Sequence, residues 1–418
     1  MRVAVAAAIA TMLTTALFAE DWPQFRGPTG QGVSTETGLP TRWSAEQGIA
    51  WSTPIPGDGW SSPIVHQGRV YVTTATEEGR SLRLLCLHRG TGEVLWDTEV
   101  VEQALDSRLQ QGNSYATPTP VSDGEHVFVV AFDGTFAAVD LDGSVAWVNR
   151  DFHYYSQHGI AASPRLYGDL LVMPFDPSSS GEDEKVGWQK PWERSFVLAL
   201  DKASGEVRWK THRGLSRIGH VTPNLTREGE REVLVSGAGD VVQGFDLETG
   251  ERLWTVYSQG EGVVPSVVVG DGMVYTASGF EEPTIRAIRT GGRGDVTDTH
   301  IAWEQTRAVS MMPSFLYVRP HLFTINESGI AQCLDARSGE ILGRTRIGGN
   351  HSASPVYAEG RIHFLSEACE TTIVEATPEM PEIARNALPG ACKASPAVSG
   401  GHLFLRTDTT LYAIGPRP

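Results

Sequence analysis

Leu200-Asp201-Lys202-Ala203-Ser204-Gly205-Glu206-Val207-Arg208-Trp209 decides the fold of this chain, because it recurs. Close copies run from Leu87 to Trp96 and from Phe245 to Trp254. Looser ones are Val139 to Trp147, one residue shorter, and Leu334 to Gly343, which lacks the final Trp. Each copy reads as strand, tight turn, strand. The Asp carboxylate can accept the N–H groups that follow it, and the Gly supplies the positive φ that the turn needs. A β-rich run then closes on Trp. Repetition of such a unit means stacked, near-identical modules.

A second marker lies upstream of each copy, a small residue and Pro ahead of an alternating strand. The Pro residues are 63, 118, 164, 223, 265, 313, 355 and 396, at intervals of 55, 46, 59, 42, 48, 42 and 41. Proline is tolerated at the first residue of a strand, where it need not donate. The intervals sit in or near the range of four-stranded propeller blades. Two hairpins per unit and eight markers predict eight antiparallel blades.

The last unit has only three strands, ending at Leu411-Tyr412-Ala413-Ile414. Gly48-Ile49-Ala50-Trp51-Ser52-Thr53 reads as the missing fourth, and pairing it there closes the ring and removes the exposed edges. Six of the 11 Trp residues (51, 96, 147, 209, 254 and 303) end a turn unit and are expected to wedge between neighbouring blades. The class is therefore all-β, an eight-bladed propeller with tryptophan docking.

The Asp-x-x-Ser/Thr-Gly-Glu-x-x-Trp units resemble the docking motifs of quinoprotein-type eight-bladed propellers. These comprise the pyrroloquinoline quinone (PQQ) dehydrogenases and non-enzymatic relatives such as the assembly lipoprotein BamB. Asp21-Trp22-Pro23-Gln24-Phe25-Arg26-Gly27-Pro28 is similar to the opening of secreted PQQ-like propellers of planctomycete-type bacteria. The resemblance covers nearly the whole mature chain and is specific for fold rather than chemistry.

Residues 1–19 read as a secretory signal, with Arg2 before an apolar run and Ala16 or Ala19 for cleavage. Residues 20–47 have no helix or strand period and read as an ordered strap, its aromatics lying on the outside of the repeat body. Residues 48–418 are the propeller. The expected location is a periplasm-like or extracellular space, as a monomer with no membrane span in the mature chain. The net charge of −16 without a basic cluster argues against nucleic acid. Cys86 and Cys333 read as core fillers, whereas Cys369 and Cys392 either pair or stay free; the compartment permits pairing.

The loops Glu102–Tyr115, Asp151–Ala162 and Pro174–Arg194 fall on one face, the expected binding face, with the last as a partner-recognition lid or a disordered excursion. Trp60, Tyr115, His220, His351 and Lys393 precede the Pro markers at comparable positions, with His158 slightly earlier in its blade. Converging at the ring centre, they would form a polar and aromatic funnel for a small planar or carbohydrate-like ligand. Alternatively, each caps its own blade. A zinc site of His158, His220 and His351 would need convergence into one coordination sphere, which positions in different blades disfavour.

Two functions remain. One is a non-catalytic propeller that binds an envelope protein, polymer or small molecule. The other, implied by the resemblance, is a PQQ- and calcium-dependent dehydrogenase of alcohols or sugars, with Trp60, Tyr115, His220 and Lys393 around the quinone. No two Cys are adjacent, whereas the family's dehydrogenases carry a vicinal disulfide. Their calcium ligands and catalytic Asp cannot be matched residue by residue onto this chain, so no residue is assigned as catalytic or metal-binding.

Overall fold

The computed structural model describes residues 19–417; the expected signal segment up to Phe18 lies outside them. Eight antiparallel sheets follow one another along the chain. Blade 1 consists of Ile64–His66, Arg69–Thr76, Ser81–His88 and Val94–Glu102. Blade 2 is Val121–Ser122, His126–Val130, Phe136–Asp140 and Val145–Asn149; blade 3 is Arg165–Tyr167, Leu170–Phe175, Phe196–Asp201 and Val207–His212. Blades 4, 5, 6 and 7 begin at Asn224, Val268, Leu316 and Val356 with the same strand order. Blade 8 takes Ala397–Ser399, His402–Arg406 and Thr410–Ile414, and its outer strand is Ile49–Pro54. Trp51 faces Ala413 and Thr53 faces Leu411 across that junction, so the two ends of the chain share one sheet.

The turn chemistry matches the repeat. Asp201 Oδ1 accepts the N–H groups of Ala203 and Ser204 at 3.0 and 3.2 Å, and Gly205 turns with φ of 74°. In blade 6 the backbone N–H of Ser338 outweighs slight desolvation and holds the Asp335 carboxyl below its usual range.

Five of the six docking Trp residues lie on the next blade's turn. The Trp209 indole donates to Leu247 O at 3.0 Å, and a Cβ on Gly250 would come within 2.5 Å of its ring. Trp51, Trp96, Trp147 and Trp303 make the same contact with Arg89 O, Leu141 O, Lys202 O and Ala336 O. Glycine is required there because any side chain would occupy the space of the indole.

Two departures have local causes. Gly343 stands where Trp is expected because the backbone of Pro378 fills the site, 1.7 Å from a would-be Cβ. Trp254 is fully buried but donates instead to Glu228 Oε1 at 3.0 Å. Blade 5 lacks the Asp-to-Gly turn, and its insertion sends Gly294–Asp295 alongside Arg252–Tyr257 as a fifth, parallel strand.

The core is distributed between the blades, one face of each sheet packing on the next. Blades 3 and 4 meet through Leu170, Val172, Val197, Ala199, Leu234 and Phe245, all buried. Cys86 and Cys333 are buried core residues.

The strap lies across one end of the ring rather than along its outside. Trp22 pairs with Val65 of blade 1, and Pro23 O accepts from Ser122 of blade 2. Arg165 of blade 3 donates to Phe25 O and Thr29 O, and Arg26 reaches Phe315 O beside blade 6. Gln31 then accepts from Val269, Ser34 N–H donates to Tyr357 O, and Glu36 accepts from Gly400 and Gly401. Backbone and side-chain polar groups of this segment thus find partners on or beside seven blades, which accounts for order without secondary structure.

Candidate functional site

At the axis the blades are joined by a second repeated contact, absent from the docking units. The N–H of Ser62 donates to Thr119 Oγ1, Thr119 N–H to Ser163 Oγ, and Ser163 N–H to Thr222 Oγ1, each at 3.0 Å. The chain resumes from Ser266 to Ser314, Ser354, Ser395 and back to Ser62. Seven such bonds join eight hydroxyl residues in a circle. The residues before the marker Pro lie two positions out in three blades: Thr119, Ser266 and Ser314 hold the ring positions, rather than Thr117, Val264 and Met312. In blades 5 and 6 the ring residue is followed by Val267 and Phe315, so the Pro rule pointed to the wrong residue.

All eight ring residues line an axial cavity of about 760 Å³. Phe25 of the strap borders it as well, and the strap crosses that end. Around the opposite mouth stand Gln110, Gln111 and Asn113 from the first long loop, and Trp188 from the third.

Four of the six expected funnel residues meet here: Trp60, His158, His220 and Lys393. Tyr115 does not. Its ring packs edge-on to Phe132 at 5.0 Å and covers Gly79, inside the blade 1–2 interface. His351 is also turned away, with Nδ1 against Leu365 O and Nε2 against Gly348 O, so it braces its own blade. Hence three imidazoles do not converge. The group of metal-ligand type among the described residues is Asp123, Glu125 and His126, at the blade 2 hairpin, where Asp123 is already ion-paired with Lys202.

His158 and His220 are 6.2 Å apart, and His158 stands edge-on to Trp188 at 5.6 Å. Burial, with His158 nearby, pushes His220 down to about 3, and burial lowers His158 too. Both rings are therefore neutral near pH 7. Neither Nδ1 has a hydrogen-bond partner. Asn113 Nδ2 holds the His158 backbone carbonyl at 2.7 Å, which fixes this loop against the first one.

The long loop that carries Trp188 is ordered. Asp176 and Arg213 form a buried two-point ion pair at 2.6 and 3.0 Å at its base, and Trp192 exchanges backbone hydrogen bonds with Ser216. The N–H of Ile218 donates to Gly187 O, pinning the tip beside blade 4.

On the Lys393 side, the ammonium lies 5.4 Å from the centre of the Trp60 ring, within cation–π range. Cys369 and Cys392 form a disulfide with Cα atoms 5.0 Å apart. It joins the loop bearing Glu367 to the residue before Lys393, and Cys392 N–H also donates to Glu367 O at 3.0 Å. Ser352 donates to the Glu367 carboxylate. Across the cavity, burial raises Glu261 above its usual range.

A family model described as outer membrane protein assembly factor BamB matches residues 41–293, more than half of the sequence. The chain belongs to this BamB family. Among curated proteins none matches it. BamB from Moraxella catarrhalis superposes with a TM-score of 0.61 at 16% identity, covering 88% of this chain and 97% of that one. Quinohemoprotein alcohol dehydrogenase from Comamonas testosteroni gives 0.65 at 10% identity, over 95% of this chain and 81% of its own. The computationally designed Ika8 protein gives 0.59 at 12%, over 92% and 99%. An assembly factor, an oxidoreductase and a design share the architecture, so the likeness is one of fold.

The residues present do not suit PQQ. That cofactor is a planar tricarboxylate, whereas Lys393 is the one cation among the described lining residues, set against Glu261 and Glu367. The disulfide joins cysteines 23 residues apart rather than adjacent ones. Trp60 could stack on a ring system, but Tyr115 is unavailable for it.

Proposed function

We propose that this BamB-family chain is a non-catalytic binding module of the cell envelope, which captures its ligand through the axial funnel on the loop-rich face. The carrying observation is the lining: hydroxyls, amides, neutral imidazoles and indoles. Neither imidazole hydrogen-bonds a serine, threonine or cysteine side chain among the described residues, so no nucleophile is activated there. The Cys369–Cys392 disulfide favours an oxidising compartment. The leader-like residues 1–19, the strap 20–47 and the propeller 48–418 fit export followed by folding as a monomer. Among the described residues no helix is long and apolar enough to cross a membrane.

The test uses purified mature protein in two assays. Envelope extract is passed over wild-type and Trp188→Ala protein, and the alternative is probed by adding PQQ and Ca²⁺ and following quinone absorbance and dye reduction. Capture that weakens in the variant, without quinone uptake, supports the module. Stoichiometric uptake with alcohol-dependent turnover makes the protein a dehydrogenase instead.

A further inference from the structure

We infer that the funnel receives the end of a neutral saccharide chain, a reading that rests on the non-catalytic module above. Three features of the lining select this chemistry.

The hydroxyl ring supplies donors. Ser62, Thr119, Ser163, Thr222, Ser314, Ser354 and Ser395 each accept one backbone N–H from the adjoining blade, and none spends its own O–H on a protein acceptor. A hydroxyl has one hydrogen to donate and two lone pairs. The fold therefore fixes the oxygen of each and leaves the hydrogen for whatever fills the cavity.

The walls supply matched acceptors and apolar faces. His220 is 7% exposed, makes no side-chain hydrogen bond and borders the cavity beside His158. A buried polar ring without a partner is costly unless a ligand or water completes it. Gln110 and Gln111 add amides that both donate and accept, and half-buried Trp60 and Trp188 add flat indole surface. A sugar ring needs this combination, since its equatorial hydroxyls form hydrogen bonds at the edge while its C–H faces lie on aromatics. Charge points the same way. Glu261 and Glu367 against Lys393 leave the lining unsuited to a strongly anionic ligand, in a chain of net charge −16.

The strap determines how such a chain can sit. It crosses the axis at Phe25, tied down by Arg165 on one side and Arg26 on the other. A polymer cannot thread through, so only a terminus can descend from the loop face. A cavity of about 760 Å³ is within the usual range for small-molecule sites and holds a short oligosaccharide.

The test titrates purified mature protein with linear trisaccharides of glucose, N-acetylglucosamine, mannose and galactose, up to about 10 mM, a millimolar ceiling that still detects weak sites. Calorimetry and tryptophan fluorescence are the readouts. At least one linear trisaccharide is expected to bind, and the cyclic oligomer of the same sugar is not. Ala161→Trp, which fills the cavity without removing a polar group, and Trp60→Ala should each weaken binding tenfold or more. Circular dichroism and Tm identify a variant that fails to fold, and the other then decides. Failure of every linear trisaccharide overturns the saccharide assignment, and equal binding of the cyclic form overturns the end-on geometry. If Ala161→Trp abolishes capture of an envelope protein while no sugar binds, the ligand class is wrong but the module stands. PQQ uptake with turnover removes both.

Discussion

Five of the eight junctions between neighbouring blades are joined twice, by different physics. At the rim an indole lies flat on a glycine of the next turn, as Trp209 does on Gly250. At the axis a backbone N–H meets a hydroxyl, as Ser314 does at Ser354. The rim contact buries a large apolar surface and leaves nothing over. The axial contact buries little, but every bond leaves the O–H of a cavity-lining residue without a protein acceptor. Stability is concentrated where the structure is saturated, and binding capacity where it is not.

Four measurements would break or sharpen that contrast. Trp209→Ala should have the largest effect, a loss of about 3–5 kcal/mol in denaturant unfolding, because a 7% exposed indole leaves a cavity and an unpaired Leu247 carbonyl. An unchanged midpoint would mean that the rim contact holds nothing together. Replacing both Cys369 and Cys392 by Ala should cost about 2–4 kcal/mol, from the chain entropy that the closed loop removes from the unfolded state. The same variant should loosen Lys393 and so weaken any ligand of the funnel.

Acidification tests the axis next. His220 sits at about 3 in the folded protein and near 6.5 unfolded, so the unfolded chain binds the extra proton between these values. Its contribution is complete above pH ~6.5 and falls as the pH drops towards 3; at pH ~5.5 the loss is about 1.4 kcal/mol. A His220→Phe variant should lose less stability over that interval than wild type, and parallel curves would show that another group governs acid sensitivity. The smallest effect belongs to the ring. Ser354→Ala leaves the N–H of Ser314 without its acceptor and should cost about 1 kcal/mol, with Ser354→Thr close to wild type. A loss as large as that of Trp209→Ala would erase the distinction between rim and axis.

The rim was legible in the sequence because each docking unit is written within ten consecutive residues. The Asp that orders the turn, the Gly that admits the indole and the Trp that closes it lie close together, and they repeat. Even the absent Trp at Gly343 was visible, although its cause, the backbone of Pro378, was not. The axis was read less well. Its ring residues are eight scattered serines and threonines, which resemble ordinary turn residues until the closed ring sets them side by side. Alignment on Pro selected Thr117 instead of Thr119. Counting back from Pro also gathered Tyr115 and His351, which lie four and three residues before their ring hydroxyls, Thr119 and Ser354, whereas Trp60 and His220 lie two before theirs. Searching instead for a hydroxyl at the start of every first strand would have found the ring.

The sequence by itself determined the number of blades, their strand order and the pairing of residues near 50 with those near 412, because local turn chemistry and a periodic apolar pattern suffice for these. Only the tertiary structure decided that the strap seals one end of the axis, that His158, His220, Trp60 and Lys393 share a cavity, and that the hydroxyls form a circle. Those contacts join residues tens to hundreds of positions apart. Their geometry is set by how eight sheets close around an axis, a property of the ring that no single repeat carries.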